Sequence, residues 1–387
     1  MLGIPFYGRF SAYYFLYYAL LGALVPYWAL FLQARGFNAW QIGLLLAIPH
    51  LTKLGAPNLW GWLADKSGKR LRIIRAGNLF AAIVFPWVFL ADGFWPMVWV
   101  LAGYSFFWNA VMAQCEALVL ESLGEKSHQY SFIRLWGSVG FIVTVLVLGL
   151  LVENLGVSII AVTMSALLAL LWLASLSLPQ VQPQEESKRT ADRLWSLLLQ
   201  APALAFFVAG LLMQLSHGPY YGFFTLYLDG QGIATRWVGA LWTLGVVAEI
   251  VLFMTMAFWL KQVSVKRLLM LSLALAVLRW GIMGSGTLHW GGLVLAQCLH
   301  AASFACYHAS AMAWLHGYFP AQFAGRAQAF YASFSLGAGW ALGAIMVGAL
   351  WESWQQATFI MAALAAVIAL VLLSVFLPNN STKNLVN

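Results

Sequence analysis

The stretch Gly61-Trp-Leu-Ala-Asp-Lys-Ser-Gly-Lys-Arg70 decides how the rest of the chain is read. It sets charged side chains and two glycines between apolar runs near 41–63 and 72–91. Each run has about the 20 residues that an α-helix needs to cross a bilayer's hydrocarbon core. The glycines allow two helices to turn tightly, and Asp65 can sit at a helix end opposite the basic residues that follow. A second stretch, Phe258-Trp-Leu-Lys-Gln-Val-Ser-Val-Lys-Arg267, repeats Trp, Leu, Ser, Lys and Arg in the same register. A loop that recurs at an equivalent place points to a chain built from two related halves.

Outward from these loops, hydropathy predicts spans near 10–33, 41–63, 72–91, 95–120, 132–152 and 157–177, then near 200–228, 237–259, 267–287, 290–316, 327–350 and 355–377. Between the two sets lies Gln180–Arg193, QVQPQEESKRTADR, a long polar stretch. The expected organisation is an N-terminal six-helix bundle over 1–179, a cytoplasmic linker over 180–199 and a C-terminal six-helix bundle over 200–387. The fold class is an all-α membrane protein with twelve transmembrane helices in two pseudo-symmetric bundles. The first apolar run is too long for a secretory signal and lacks a small-residue cleavage site after it, so it reads as a retained span.

The charges support this layout. With both termini inside, the cytoplasmic segments hold Arg9, the group Lys66, Lys69, Arg70, Arg72 and Arg75, then Lys126 and Arg134. In the second half they hold Lys188, Arg189 and Arg193, Lys261, Lys266 and Arg267, Arg326 and Lys383. Only Arg35 and Arg236 fall outside, which is the positive-inside bias of an inner-membrane protein. The net charge of +8 therefore has a topological origin and does not call for nucleic acid. The chain is 63% hydrophobic and 8% charged, against about 25% charged in soluble domains. Its solvent is a bilayer. Cys115, Cys298 and Cys306 are odd in number and sit in apolar stretches, so they read as small core thiols and not as a disulfide framework.

Several motifs resemble a known family. Gly61–Arg70 matches the G-x-L-a-D-x-x-G-r-[RK] loop of the major facilitator superfamily. A narrower resemblance, to the phenylpropionate permease group and its relative lactose permease, rests on Glu116, Arg134-Leu-Trp-Gly-Ser-Val-Gly-Phe141, Tyr220-Tyr221-Gly222-Phe223, Leu244-Gly-Val-Val-Ala-Glu249, Arg279-Trp-Gly-Ile-Met-Gly284 and Leu299-His300. The resemblance implies the major facilitator fold and proton-coupled uptake of a small aromatic carboxylate. It implies that Glu116 and Arg134 contact solute, and that Glu249 and His300 belong to a solute- and proton-handling cluster. Gly61, Asp65, Gly68, Lys69 and Arg70 would form a cytoplasmic gate. One position departs: the carboxylate that follows the helix-ten histidine in lactose permease corresponds here to Ser303, so that proton site is not carried over whole.

Ionisable groups inside spans cost about 2.5–3.5 kcal/mol each on insertion scales and face a cavity or a partner. Here they are Lys53, Glu116, Glu249, Arg279, His300 and His308, with Arg134 just inside its span. Glu116 and Arg134 could form a structural ion pair, or a clamp that changes partners during a cycle. Asn109 lies two helical turns from Glu116 and would add polar capacity to the same face. Lys53, too deep to snorkel easily, could attract an anionic solute or pair with Glu116 or Glu249. Glu249 is the candidate proton carrier, opposed by Arg279 if the two are close. For His300, hydrogen bonding and proton relay both stay open, with hydrogen bonding the commoner role; His308 and His316 are weaker candidates.

Aromatic residues make up 16% of the chain, and most fit interfacial belts. Tyr13, Tyr14, Tyr17 and Tyr18 are denser than a belt needs. Gln214, His217, Tyr220 and Tyr221 recur at helical spacing and could line an aromatic pocket for a flat acid, although simple helix packing explains the same spacing. No H-E-x-x-H, cysteine pair or Walker loop is visible, so no metal or other cofactor is expected and an ion gradient is left as the energy source. The expected partners are a small solute, protons and lipid, with a monomer as default. Competing expectations are proton symport of a neutral sugar or nucleoside, efflux of drugs or metabolites by antiport, and a non-transporting sensor. An enzyme is not expected, since no nucleophile–base pair is visible.

Overall fold

The computed structural model describes residues 5–181, 194–286 and 289–378. Most of the expected linker, with Lys188, Arg189 and Arg193, and the tail with Lys383 lie outside the described residues. Within them the chain is helical and carries no strand. In the first half run α1 (Tyr7–Ala34), α2 (Ala39–Ser67), α3 (Arg70–Val84), α4 (Phe94–Trp108), α5 (Val111–Leu123), α6 (Tyr130–Leu155) and α7 (Ile159–Leu176). The second half holds the short α8 (Leu194–Leu198), then α9 (Ala201–Ser216), α10 (Phe224–Gly230), α11 (Thr235–Gln262) and α12 (Val265–Gly284). It continues with α13 (Trp290–His300), α14 (Tyr307–Tyr318), α15 (Ala321–Phe330), α16 (Gly339–Trp354) and α17 (Thr358–Phe376).

Eight helical stretches among the described residues are long and apolar enough to cross a bilayer. Two of them, Phe94–Leu155 with 62 residues and Ala321–Phe376 with 56, exceed a single crossing and bend inside. Their solvent shows in α17. Leu364, Ile368, Val371 and Val375, on one face, are 51, 53, 54 and 66% exposed, while Ala362, Ala366, Ala369 and Leu373 opposite them are fully buried. A helix apolar on its exposed face as well as its packed one belongs in lipid.

Helix ends overrun the apolar runs because local chemistry sets them. Asn38 starts α2 with a capping box: its side chain accepts from the Gln41 amide at 2.9 Å, and Gln41 accepts from the Asn38 amide at 3.1 Å. The helix continues through Pro49 and Pro57 and stops at Gly68, whose φ of 63° suits glycine. Lys69 then precedes α3, so the motif Gly61–Arg70 spans one helix end and the next beginning.

By packing, the chain forms two compact units, one of Met1–Glu186 with Phe224–Ala240, the other of Ser187–Phe223 with Leu241–Asn387. Phe224–Ala240 joins the first unit through Thr235, which donates to the Gly149 carbonyl at 2.8 Å, and through Arg236, 3.1 Å from Glu153. In the first unit α1 lies along α6. A Cβ on Gly22 would stand 2.8 Å from the Phe141 carbonyl, so the two backbones touch where only glycine fits. In the second unit α9, α12 and α17 pack together, and a Cβ on Gly339 would stand 2.7 Å from the Leu211 carbonyl.

The expectation of three core thiols is corrected. Cys115 and Cys306 are buried, but Cys298 is exposed. It shares the outward face of α13 with Val294 and Leu295, which are 43 and 48% exposed. An apolar stretch in a membrane helix does not distinguish the packed face from the lipid face.

Candidate functional site

Each unit carries its own polar cluster. In the first, Glu116 on α5 accepts a hydrogen bond at 3.1 Å from the Tyr130 hydroxyl, in the first turn of α6. The Tyr14 hydroxyl on α1 donates in turn to Tyr130 at 3.3 Å. Arg134, one turn beyond Tyr130, places its guanidinium 4.0 Å from the centre of the Tyr18 ring, a cation–π contact. Glu116 and Arg134 are therefore served by tyrosines and do not pair directly. Lys53, midway along α2, is exposed and lies within the electrostatic reach of Glu116. The dense tyrosines of α1 point to different partners: Tyr13 accepts from Asn78 at 2.9 Å, and Tyr17 stacks on Trp108 at 5.0 Å.

Asn109 lies at the junction of α4 and α5. Asn109 and Ala110 keep right-handed helical backbone angles, so α4 runs on into α5 through a single turn. The Asn109 amide donates to the Pro49 carbonyl at 2.8 Å and to Thr52 at 3.0 Å, and Thr52 donates to Ser105 at 2.9 Å. Asn109 thus ties α4 to the proline bend of α2.

The second cluster is drier. Arg279 on α12 is fully buried and His300 on α13 is 3% exposed. Arg279 Nη1 lies 2.7 Å from His300 Nδ1, and His300 Nε2 lies 2.7 Å from Glu249 Oε1 on α11. A guanidinium can only donate, so His300 Nδ1 is the acceptor and the ring's proton sits on Nε2, facing the carboxylate. The imidazole is a neutral bridge between a buried cation and a mostly buried anion. Glu249 and Arg279 are thus joined through His300, and His300 is no isolated histidine. Arg279 also donates to Ser303 at 3.3 Å, and the Tyr221 hydroxyl lies 3.3 Å from His300 Nε2.

Aromatic rings enclose this chain of charges. The Arg279 guanidinium carbon lies 4.2 Å from the Tyr220 ring centre and 4.3 Å from that of Trp280. Tyr220 donates to Gln297 at 2.7 Å. His217 stacks on Tyr221 at 5.5 Å and meets Trp280 edge-on at 5.0 Å. His217, Tyr220 and Tyr221 do not lie on one regular helix: α9 ends at Ser216, and Pro219–Phe223 forms a π-helical turn. A second π turn, Ala301–Cys306, follows His300 directly, and a third covers Tyr331–Ala338. Such wide turns gather at functional sites. Gln214 accepts from Trp340, whose ring lies 4.5 Å from that of Tyr221. His308 stacks on Phe304 at 6.3 Å, and His316 is exposed.

At the loop end of the first unit, Arg70 is the hub. It contacts Glu121 in an ion pair, reaches Asp65 at 3.6 Å and donates to Gln114 at 3.2 Å. Asp65 is well exposed, whereas Arg70 and Glu121 are mostly buried. Gly61 faces Gln114: a Cβ added there would stand 3.5 Å from the Gln114 amide nitrogen. Lys69 is exposed.

Sequence reading missed Tyr130, Gln297 and Glu121. Two of them carried a usable signal: Tyr130 precedes Arg134 by four residues and Gln297 precedes His300 by three, so each shares a helix face with a residue already singled out. No group of three or more His, Cys, Asp or Glu able to hold a metal ion occurs among the described residues.

Comparison with known proteins agrees with this architecture. The profile of the MFS_1 like family matches residues 7–363. The chain is 30% identical over 365 residues to the "Probable 3-phenylpropionic acid transporter" of Escherichia coli (strain K12), covering 93% of this chain and 95% of that protein. It is 25% identical over 352 residues to the maltose permease of Geobacillus stearothermophilus, covering 89 and 88%. The crystal structure of the nucleoside transporter NupG superposes with a TM-score of 0.84 at 20% identity, covering 96% of this chain and 99% of that one.

Proposed function

We propose, from the premise that this chain belongs to the MFS_1 like family of the major facilitator superfamily and is a membrane transporter and not an enzyme, that it takes up a small aromatic carboxylate such as 3-phenylpropionate together with protons, by alternating access. The observation that carries the coupling is the chain Arg279–His300–Glu249, in which a neutral imidazole separates two charges held largely away from water. Adding one proton to Glu249 turns the charged acceptor of His300 Nε2 into a weaker neutral one and leaves Arg279 without its counter-charge. Proton binding and the charge offered to an anion are thereby linked in one hydrogen-bonded unit.

The substrate class is supported by the name of the E. coli relative and by rings stacked beside cations in both clusters. In the first unit Lys53, Glu116 and Arg134 are the proposed solute contacts; in the second, His217, Tyr220 and Tyr221. Glu249, Arg279 and His300 handle the proton. The gradient supplies the energy and no bound cofactor takes part. Gly61, Asp65, Gly68, Lys69 and Arg70 act as the cytoplasmic gate, with Glu121 as the partner of Arg70. We place the monomer in the inner membrane with both termini in the cytoplasm, following the bias of its lysines and arginines.

A second reading, proton symport of a neutral sugar, is favoured by the maltose permease relative. Uptake of labelled 3-phenylpropionate into proteoliposomes, with and without an imposed proton gradient and with maltose as competitor, separates the two. Accumulation of the acid that requires the gradient supports the proposal. Accumulation without it removes proton coupling, and maltose uptake in its place promotes the second reading.

A further inference from the structure

Arg279 is only half used. Its Nη1 serves His300 and Ser303, but its Nε and Nη2 meet no acceptor although the side chain is fully buried. The Tyr220 hydroxyl stands close enough for a loose polar contact with the guanidinium, but Nε and Nη2 find no acceptor in good hydrogen-bond geometry. A buried donor left unmet is costly, and more so when it is charged. Two such donors on one guanidinium call for an occupant. Nε and Nη2 form one edge of the planar fork, whose two parallel N–H groups match the two oxygens of a carboxylate.

The Gln297 amide nitrogen is also buried and without an acceptor, while Gln297 Oε1 is fixed by Tyr220, the residue whose ring lies under the guanidinium. Every unmet donor at this place asks for the same thing, an oxyanion. Tyr220 and Trp280 hold the guanidinium over their rings at 4.2 and 4.3 Å, so the place where the anion would arrive is lined by aromatic surface.

We propose that the Nε–Nη2 edge of Arg279, with the Gln297 amide, receives the carboxylate of the transported solute, and that its negative charge draws one proton onto the Glu249–His300 pair; this rests on the reading of the chain as a carboxylate transporter. The charge count carries the second half. Arg279 and Glu249 balance, and His300 is neutral in its present bonding. An arriving carboxylate leaves one uncompensated negative charge in a region closed to water, where a bare charge is expensive. One proton restores the balance. The other groups facing His300 do not supply it: Tyr221 and Tyr220 are neutral phenols, and Ser303 cannot carry charge. His217 donates from Nδ1 to the Met213 carbonyl at 2.8 Å, and a proton added to its buried Nε2 would find no acceptor there. His308 stands one ring further off, across Phe304.

The test is thermal unfolding of the full-length protein in detergent, at constant pH and ionic strength, with acetate, benzoate or 3-phenylpropionate. Chloride and 3-phenylpropionamide serve as controls. The expected result is that carboxylates raise the unfolding temperature and the controls do not. Half-saturation in Arg279→Lys, which keeps the charge but loses the fork, should be at least about tenfold weaker. Gln297→Leu should weaken it as well and leaves the guanidinium intact, which provides a second arm if the lysine variant does not fold. In weak buffer, saturating carboxylate should take up one proton per protein. No stabilisation by any carboxylate, equal stabilisation by chloride or the amide, or unchanged responses in the variants would overturn the site. Anion binding without proton uptake would overturn the charge balance. Stabilisation by acetate or benzoate but not by 3-phenylpropionate would end the substrate reading and leave the Arg279 site standing.

Discussion

The two units hold the same kinds of charge inside their helices and treat them in opposite ways. In the first, Glu116 and Arg134 are each attended by a tyrosine, and Lys53 is exposed. In the second, Glu249 and Arg279 are largely shut away from water and joined through one imidazole. A tyrosine hydroxyl hydrogen bonds to a carboxylate without competing for its proton near neutral pH, because an ordinary phenol ionises near pH 10. An imidazole shares a proton with its neighbours in that range. Under the proposed function, the first unit holds and attracts the solute and the second exchanges protons.

The largest effect should come from removing the proton acceptor. Glu249→Gln is expected to lower gradient-driven accumulation by at least about 100-fold, the scale on which a lost proton-transfer group acts, while counterflow exchange across proteoliposomes persists. If Glu116→Gln gave the same pattern, the division of labour between the units would collapse. Lys53→Gln should be milder. An exposed charge is worth up to about 1 kcal/mol, so the KM for the anion should rise about fivefold with maximal rate little changed. An unaltered KM at low salt would remove Lys53 from anion attraction.

Smaller still is the effect expected of Tyr130→Phe. One hydrogen bond contributes about 1 kcal/mol or less net, so affinity should fall roughly threefold. The pH profile of transport should not move, because that profile is set in the other unit; a moved profile would make Tyr130 part of the proton path. Asn109→Ala should leave affinity and pH profile alone and lower the unfolding temperature by about 2–4 °C for each kcal/mol lost. A selective loss of affinity there would return Asn109 to the solute contacts.

Much of this was legible beforehand, for identifiable reasons. The helical runs and loops follow from hydropathy, because a bilayer permits little else than apolar helices. The charged residues announced themselves because each is costly where it sits. Partnership was not legible. Whether Arg134 meets Glu116 or Tyr18 depends on how α5 and α6 are rotated, which hydropathy does not encode. The π turns at Pro219–Phe223 and Ala301–Cys306 shift the register just where His217, Tyr221 and His300 are read, so regular spacing misplaces them. Gln297 was passed over because an uncharged amide in a span raises no alarm, although it lies one turn from His300.

The bare backbone contacts at Gly22 and Gly339 carry a mechanical consequence. Where a carbonyl rests against a glycine Cα there is no side chain between the rods to repack, so neither rod can slip along its neighbour by rotamer changes alone. Each bundle is consequently stiff along those seams, and even a single added methyl would act as a wedge, prying apart α1 and α6 in one unit or α9 and α16 in the other.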